Sequence, residues 1–258
     1  MTTLPPLSVS DGVATIRLGR PDAGNALDLP AATALRDAVT EIARTVRDID
    51  VVVVRAEGRL FCVGGDVRAM ATAADRPAFV AELAGVLHDA LVALRALPVP
   101  VVAVVQGTAA GAGIGLLLAA DVVVAAEHAT FVAAYPSVGL SPDCGVSALL
   151  PAAVGARRAA LFLLTGATLD AAAALDWGLV TEVVDLDDLE ARAGEVVAGI
   201  AALPREAVGE AARLLRLAPE RPYAAQLVDE AATIARLSAT PDADALITAF
   251  AAPNGDTE

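Results

Sequence analysis

Hydrophobic and polar positions alternate in short blocks along the first third of the chain. Leu7–Ser10 and Val13–Leu18 show the period-2 pattern of strands, and Asp11-Gly12 between them predicts a two-residue hairpin turn. Apolar residues then recur at helical spacing over residues 30–46, where Pro30 suits a helix start. The pattern therefore predicts an opening hairpin followed by an amphipathic helix.

The rest of the chain repeats strands and helices and then becomes helical. β-branched runs at residues 51–54, Val101–Val105 and 122–125 predict buried strands, and residues 77–97 predict a long helix. From residue 186 to 250 the pattern is helical throughout. The predicted fold class is therefore α/β, with layered strand-loop-helix turns and a helical tail.

Composition narrows the possible partners. The chain has 258 residues, 56% of them apolar, which is enough for one substantial core. A formal charge of −14 argues against nucleic acid and anionic membranes as partners, because both attract clustered cations.

Two cysteines make no disulfide framework, and no signal peptide is evident, so we expect a cytoplasmic protein. His88 and His128 have no cysteines or carboxylates at a metal-ligand spacing around them, so no metal site is predicted.

An uncharged run at residues 99–120 raises the question of a membrane helix, because it is 22 residues long. Pro100, Gln106 and several glycines interrupt it, and no cationic flank anchors its ends. We expect a buried strand, a turn and a buried helix there instead.

Two glycine-rich stretches, FCVGGD at residues 61–66 and QGTAAGAGIG at residues 106–115, carry the candidate chemistry. Each follows a predicted strand, and glycine lets a ligand approach the backbone closely. Backbone N–H groups exposed in such loops can bind a carbonyl oxygen as an oxyanion hole. The alternative is a pair of tight turns in a packed core.

These stretches form a series with RPDAGNALD at residues 20–28, VGLSPDCG at residues 138–145 and LTGATLDAAAALDWGLVTEVV at residues 164–184. In this order the motifs resemble the crotonase, or enoyl-CoA hydratase/isomerase, superfamily, and most of all its acyl-CoA isomerase branch of the phenylacetate-pathway type. The resemblance implies a crotonase-like coil of repeated strand-strand-helix turns with a C-terminal helical trimerisation region. It implies an acyl-CoA-binding core at residues 1–200 and an oligomerisation region at residues 201–258.

The resemblance also implies a ligand and site residues. The substrate would be an acyl-CoA thioester, with no separate cofactor, and the assembly a homotrimer or a dimer of trimers. Gly65 and Ala112 would supply the two oxyanion N–H groups, and Asp143 would be the catalytic carboxylate. Residues expected to bind substrate or CoA are Ala23, Asn25, Cys62, Gly64, Asp66, Val67, Arg68, Gly111, Gly115 and Tyr135. Asp66 is also expected to fix its loop through hydrogen bonds.

The chain departs from the hydratase pattern at both catalytic glutamates, whose positions are occupied by Gly115 and Tyr135. Hydration asks for a base and an acid, whereas moving a double bond asks for one carboxylate that takes a proton and returns it elsewhere. The resemblance therefore implies an enoyl-CoA isomerase that uses Asp143 as its proton shuttle.

Several alternatives stay open from the sequence. Asp143 follows Pro142 and could instead cap a helix that begins near Cys144. The chain could be a hydratase-like enzyme with an atypical site or a non-catalytic acyl-CoA-binding module. It could also be an aryl-CoA dehalogenase, with Asp143 as nucleophile beside Tyr135 and His88. Residues 71–79 are predicted to form a flexible lid over the site.

Overall fold

A computed structural model describes residues 7–252 of the chain. Its strands are β1 Leu7–Ser10, β2 Val13–Leu18, β3 Val51–Ala56, β4 Val101–Val105, β5 Ala109–Ala110, β6 Val122–Ala126, β7 Thr130–Val132, β8 Thr168–Asp170 and β9 Glu182–Val184. Its helices are α1 Leu29–Thr45, α2 Val67–Thr72, α3 Arg76–Ala96, α4 Ala112–Ala119, α5 Val146–Val154, α6 Ala156–Thr165, α7 Ala171–Trp177, α8 Leu189–Ala201, α9 Arg205–Leu217, α10 Tyr223–Leu237 and α11 Pro241–Ala251.

A six-stranded sheet in the order β1-β2-β3-β4-β6-β9 forms the centre of the molecule. Only the β1–β2 pair is antiparallel, and Asp11 and Gly12 join it with positive φ angles of 51° and 76°, as the predicted hairpin turn requires. The remaining pairs are parallel. Every residue of β4 is buried, which explains its uninterrupted run of valine and alanine.

A smaller sheet in the order β5-β7-β8 lies beside the glycine-rich segment. β5 pairs with β7 in parallel, and β7 pairs with β8 in antiparallel. The two sheets and their connecting helices give the expected α/β coil with helices at its C-terminal end.

Helices cover both faces of the central sheet. On one side, α1 packs against α3, and the side chain of Asp28 caps α1 by accepting the Ala31 N–H. On the other side, Leu189 and Ala193 of α8 are buried against valines of β3, β4 and β6. The site loops therefore project from a scaffold that is packed on both faces.

Two segments, residues 99–120 and α3, are long and apolar enough to raise the question of a membrane helix. Residues 99–120 form β4, β5 and α4, the buried strand, turn and helix that the sequence predicts. Within residues 7–252, α3 is the one helix long and apolar enough by composition to cross a membrane. Its Leu83, Leu87 and Leu94 side chains are nevertheless buried in the protein core.

The C-terminal part is helical as predicted, from α8 to α11. The proposed boundary after residue 200 falls at the end of α8, and residues 253–258 of the proposed oligomerisation region lie outside the described residues. A buried arginine fastens α9 to the body. The Arg216 guanidinium donates to the carbonyl oxygens of Arg95, Leu97 and Val99 at 2.8–3.0 Å and pairs with Asp121.

The predicted lid at residues 71–79 is wrong in its conformation. α2 extends to Thr72 and α3 begins at Arg76, so only three residues connect the two helices. Asp75 caps α3 by accepting the Ala78 N–H, and Pro77 occupies its first turn. Ala71 and Ala78 lie within the two helices, for which alanine has the highest propensity.

Candidate active site

The two glycine-rich loops touch each other. A Cβ atom on Gly64 would lie 2.9 Å from the Ala110 carbonyl oxygen and 3.2 Å from the Ala112 nitrogen. Gly64 and Gly111 also have positive φ angles of 93° and 53°. Space and backbone conformation both favour glycine at position 64, whereas at position 111 the backbone conformation alone does so.

Gly65 and Ala112 each have a backbone N–H that local structure does not use. Leu27 bridges to this segment by donating to the Gly64 carbonyl at 2.8 Å and accepting from the Asp66 N–H at 2.9 Å, which bypasses the Gly65 N–H. Ala112 is the first residue of α4, where an N–H has no carbonyl partner four residues earlier.

Both residues line one cavity of about 190 Å³. Its walls are mainly apolar and come from α2, α3 and the segment before α5. Among the described residues that line it, Asp143 is the one carboxylate. Of the predicted site residues, the cavity brings together Gly64, Gly65, Val67, Gly111, Ala112, Tyr135 and Asp143. Two unused amides thus lie in the same apolar cavity as a single acid.

Tyr135 holds the Asp143 carboxylate. The tyrosine hydroxyl donates to Asp143 Oδ1 at 2.9 Å. Burial, together with the negative charge of Asp143, raises the pKa of Tyr135 well above its usual value. The phenol therefore remains protonated and acts as a hydrogen-bond donor, not as a base.

The alternative role of Asp143 as a helix cap is wrong. α5 begins at Val146, and its N-cap residue is Gly145, which has no side chain to offer. Asp143 contributes its backbone carbonyl, which accepts the Val146 N–H at 3.0 Å, while its carboxylate turns to Tyr135.

Gly115 does not line the cavity that holds the two amides. It was predicted as a substrate or CoA contact, and it lines a second, larger cavity of about 680 Å³ together with Cys144 and Gly145 of the Asp143 turn. A Cβ atom on Gly115 would lie 2.6 Å from both the Cβ and the carbonyl oxygen of Cys144. The turn thus occupies the space that a glutamate side chain at position 115 would need.

His88 contacts this turn from α3. Its Nε2 atom accepts the Cys144 N–H at 3.1 Å. Ligand-type atoms of His88, Asp143 and Cys144 lie within 4.8 Å of one another. The dehalogenase alternative expects His88 near Asp143 and Tyr135, but 56 positions separate His88 from Cys144, and the packing of α3 against the turn reveals the bond between them. We interpret these residues as a hydrogen-bonded cluster. The Asp143 carboxylate accepts a hydrogen bond from Tyr135, and His88 Nε2 accepts one from the Cys144 N–H.

Two of the predicted substrate contacts have internal roles instead. Asn25 is buried with a φ of 55°; its side chain accepts the Arg20 N–H and donates to the carbonyls of Glu57 and Leu60. Cys62 is fully buried, and burial raises its thiol pKa to about 12. Both side chains therefore stabilise the loops and do not face the cavity.

Asp66 fixes its loop, as expected. Its carboxylate caps α2 by accepting the Arg68 and Ala69 N–H groups at 3.1 Å and pairs with Arg20 at 3.2 Å. Burial alone would raise its pKa, but these hydrogen bonds and the Arg20 charge lower it on balance. Arg68 itself is exposed at the start of α2, and Ala23 is exposed in a short 3₁₀ turn, Pro21–Ala23, outside the cavity.

Comparison with known proteins fits this geometry. The family model described as enoyl-CoA hydratase/isomerase matches residues 8–252. The chain is 34% identical over 205 residues to the 1,2-epoxyphenylacetyl-CoA isomerase of Escherichia coli strain K12, which covers 78% of this chain and 77% of that relative. It is 35% identical over 204 residues to 4-chlorobenzoyl coenzyme A dehalogenase-2 of an Arthrobacter species, covering 78% and 73%.

A solved structure extends the likeness over almost the whole fold. The crystal structure of an enoyl-CoA hydratase from Mycobacterium smegmatis superposes with a TM-score of 0.88 at 32% identity and covers 94% of this chain and 93% of that chain. The match of the family model, the shared fold and the relatives at this level of identity confirm the resemblance that the motifs carry. The chain belongs to the enoyl-CoA hydratase/isomerase family of the crotonase superfamily.

Proposed function

We propose that the protein is an acyl-CoA isomerase that moves a carbon–carbon double bond relative to a thioester carbonyl. The Gly65 and Ala112 N–H groups bind the thioester oxygen, and Asp143 carries the proton. One observation carries this proposal. The cavity with the two unused amides holds one carboxylate, Asp143, and no second one among the described lining residues.

The two amides lower the cost of forming an enolate. When a proton leaves the carbon next to the carbonyl, the electron pair of that C–H bond moves toward the thioester oxygen. Each preorganised donor at such an oxygen contributes about 3 kcal/mol in comparable sites. The apolar walls strengthen this effect because they exclude water, which would screen the charge.

One carboxylate then completes the reaction. Asp143 takes a proton from C2 of a 3-enoyl thioester and returns it at C4, which leaves a conjugated 2-enoyl thioester and restores Asp143. Hydration needs a further acid–base group. The positions of the hydratase glutamates offer none, because Gly115 packs against Cys144 and the raised pKa of Tyr135 keeps its hydroxyl protonated.

Coenzyme A and the assembly form part of the same proposal. Arg68 is exposed beside the cavity residue Val67, and no ion pair engages it within residues 7–252, so it is available for a CoA phosphate.

Large apolar side chains are exposed on the C-terminal helices, among them Leu215, Val228 and Phe250. Their burial in a homotrimer or a dimer of trimers follows from the hydrophobic effect. We place the enzyme in the cytoplasm.

A second candidate is an aryl-CoA dehalogenase. It is favoured by the cluster of Asp143, Tyr135 and His88 and by the Arthrobacter relative. In such a reaction a carboxylate displaces halide, and a base activates the water that hydrolyses the resulting ester. Against it, the acceptor nitrogen of His88 already receives the Cys144 N–H. The isomerase is therefore the better supported function.

Parallel spectrophotometric assays with a 3-enoyl-CoA and a 2-enoyl-CoA test the proposal, with Asp143→Asn beside the wild type. We expect the wild type to conjugate the 3-enoyl substrate and the variant to lose this activity by at least about 1000-fold. Hydration of the 2-enoyl substrate instead of conjugation of the 3-enoyl substrate would contradict the isomerase and favour a hydratase-like enzyme.

Two further outcomes are also decisive. Binding of the thioesters without turnover would favour an acyl-CoA-binding module. Release of halide from 4-chlorobenzoyl-CoA, with a covalent ester on Asp143 detected by mass spectrometry, would favour the dehalogenase, because an isomerase transfers only protons.

A further inference from the structure

The turn that carries Asp143 has an unfavourable backbone conformation. Cys144 has a φ of 51°, in the left-handed region, and Gly145 follows with a φ of 74°. A residue other than glycine persists there only where its surroundings hold it. The position of the Asp143 carboxylate therefore depends on the contacts that fix this turn.

Three elements supply those contacts. Tyr135 donates to the carboxylate itself, and Gly115 of α4 packs against the Cys144 Cβ and carbonyl. The third contact comes from α3, where His88 Nε2 accepts the Cys144 N–H. Among the described residues the Cys144 N–H has this one hydrogen bond, and its acceptor lies on a 21-residue helix that packs against α1.

His88 is not suited to act as the base itself. A neutral imidazole has one acceptor nitrogen, and here that nitrogen receives an amide hydrogen. Its other nitrogen carries the ring proton and cannot remove one from a substrate. The imidazole also lines the larger cavity, not the one in which Gly65, Ala112 and Asp143 meet.

We infer that His88 is a positioning residue: through the Cys144 N–H it holds the strained turn so that the Asp143 carboxylate faces the two amides. The catalytic part of this inference rests on the proposed isomerase, whereas the structural part does not. A displacement of about 1 Å at a reacting group can cost roughly 100-fold in rate, so loosening the turn lowers turnover more than substrate binding.

Two replacements separate the hydrogen bond from the bulk of the side chain. In His88→Gln the side-chain amide oxygen accepts a hydrogen bond, whereas His88→Leu fills similar space without an acceptor. His128→Leu, at an exposed turn between β6 and β7, is the matched control. Because His88 is itself exposed, all three variants are expected to fold, and thermal melting checks this.

We expect His88→Leu to lower kcat by about 30-fold with KM within about 3-fold of wild type. His88→Gln should retain at least about a third of the wild-type kcat, and His128→Leu should match wild type. Equal losses in the Gln and Leu variants, an unchanged kcat in His88→Leu, or a change in KM alone would overturn the inference.

Alkylation of Cys144 gives a readout that needs no substrate. Burial first, and then the Asp143 charge, raise the pKa of this thiol, so it reacts slowly in the wild type. With iodoacetamide and peptide mass spectrometry, we expect Cys144 labelling to rise by about 10-fold in His88→Leu and not in His88→Gln. Cys62 in the same digest is the internal control for general unfolding.

The two readouts separate the two proposals. If the wild type isomerises no enoyl thioester, the proposed function fails, and labelling alone decides the role of His88. Faster Cys144 labelling confined to His88→Leu would still support the inference. Equal labelling of Cys144 in all variants, or a parallel rise at Cys62, would overturn it.

Discussion

Asp121 and Asp143 are both carboxylates at the ends of loops, but their partners differ in charge. Asp121 accepts the Val101 N–H at 2.7 Å and forms an ion pair with Arg216, whose side chain is only 6% exposed. Asp143 accepts a hydrogen bond from the neutral Tyr135 hydroxyl, and no ion pair engages it in the described part of the chain.

The comparison teaches how one fold separates structural acids from reactive ones. Removal of the Asp121 carboxylate would leave a buried guanidinium without its counter-ion, which is costly. Removal of the Asp143 carboxylate separates no ion pair among the described residues. The proposed proton carrier is therefore the aspartate that no cation holds in the described residues.

Exchanging each aspartate for asparagine should give opposite results. Asp143→Asn should lower isomerase turnover by at least about 1000-fold and leave the melting temperature almost unchanged. Asp121→Asn should destabilise the fold by about 3–5 kcal/mol, because Arg216 keeps a buried charge without its partner, and retain turnover per folded molecule. Urea unfolding and the conjugation assay measure the two effects.

An exposed ion pair provides the control for this experiment. Arg44 and Glu41 lie 3.7 Å apart, and their side chains are 73% and 53% exposed. Arg44→Met should change stability by less than about 0.5 kcal/mol, since solvent screens the pair. If Asp121→Asn cost as little as Arg44→Met, the distinction between the two aspartates would be lost.

Gly115→Ala sharpens the comparison by disturbing the Asp143 turn while both aspartates stay in place. The new Cβ would clash with Cys144, so we expect a loss of about 1–3 kcal/mol and reduced turnover. Gly85→Ala is the matched control, because a Cβ there meets no atom within 4 Å on α3. That change should stabilise the helix by up to about 1 kcal/mol. Similar unfolding curves for the two variants would contradict the close packing at Gly115.

Tyr135→Phe should have the smallest effect. It removes the hydrogen bond to the Asp143 carboxylate and keeps the ring, so we expect kcat to fall by about 10-fold. Stability should fall by about 1 kcal/mol. Steady-state kinetics and thermal melting measure the two changes; an unchanged kcat would show that the hydroxyl does not orient the carboxylate.

Much of the scaffold could be predicted from sequence because its signals are local. The Asp11-Gly12 turn, the valine-rich strands and the proline-marked helix starts each lie within a few residues of the element that they define. The lid predicted at residues 71–79 is wrong because alanine-rich sequence suits both a small-residue loop and a helix, and here the Asp75 cap starts a helix.

The site was harder to predict because its contacts join distant segments. The glycine motifs and their order indicated the family, and Asp143 and Tyr135 do lie together in the cavity. Nothing near His88 in the sequence indicates a bond to Cys144, and the role of Gly115 depends on the conformation of a turn about thirty residues away. Contacts of this kind are fixed by tertiary packing, not by local pattern.

The candidate oxyanion donors, at Gly65 and Ala112, belong to the main chain. With the exception of proline, every residue carries the same N–H group, so ordinary point mutations at these positions leave the donors in place. The residues at 88, 115, 135 and 143 can therefore be substituted without removing these two main-chain donors. The two proposed thioester donors are thus insensitive to most substitutions, whereas the residues beside them are not. This arrangement suits a lineage in which new reactions arise while thioester binding persists.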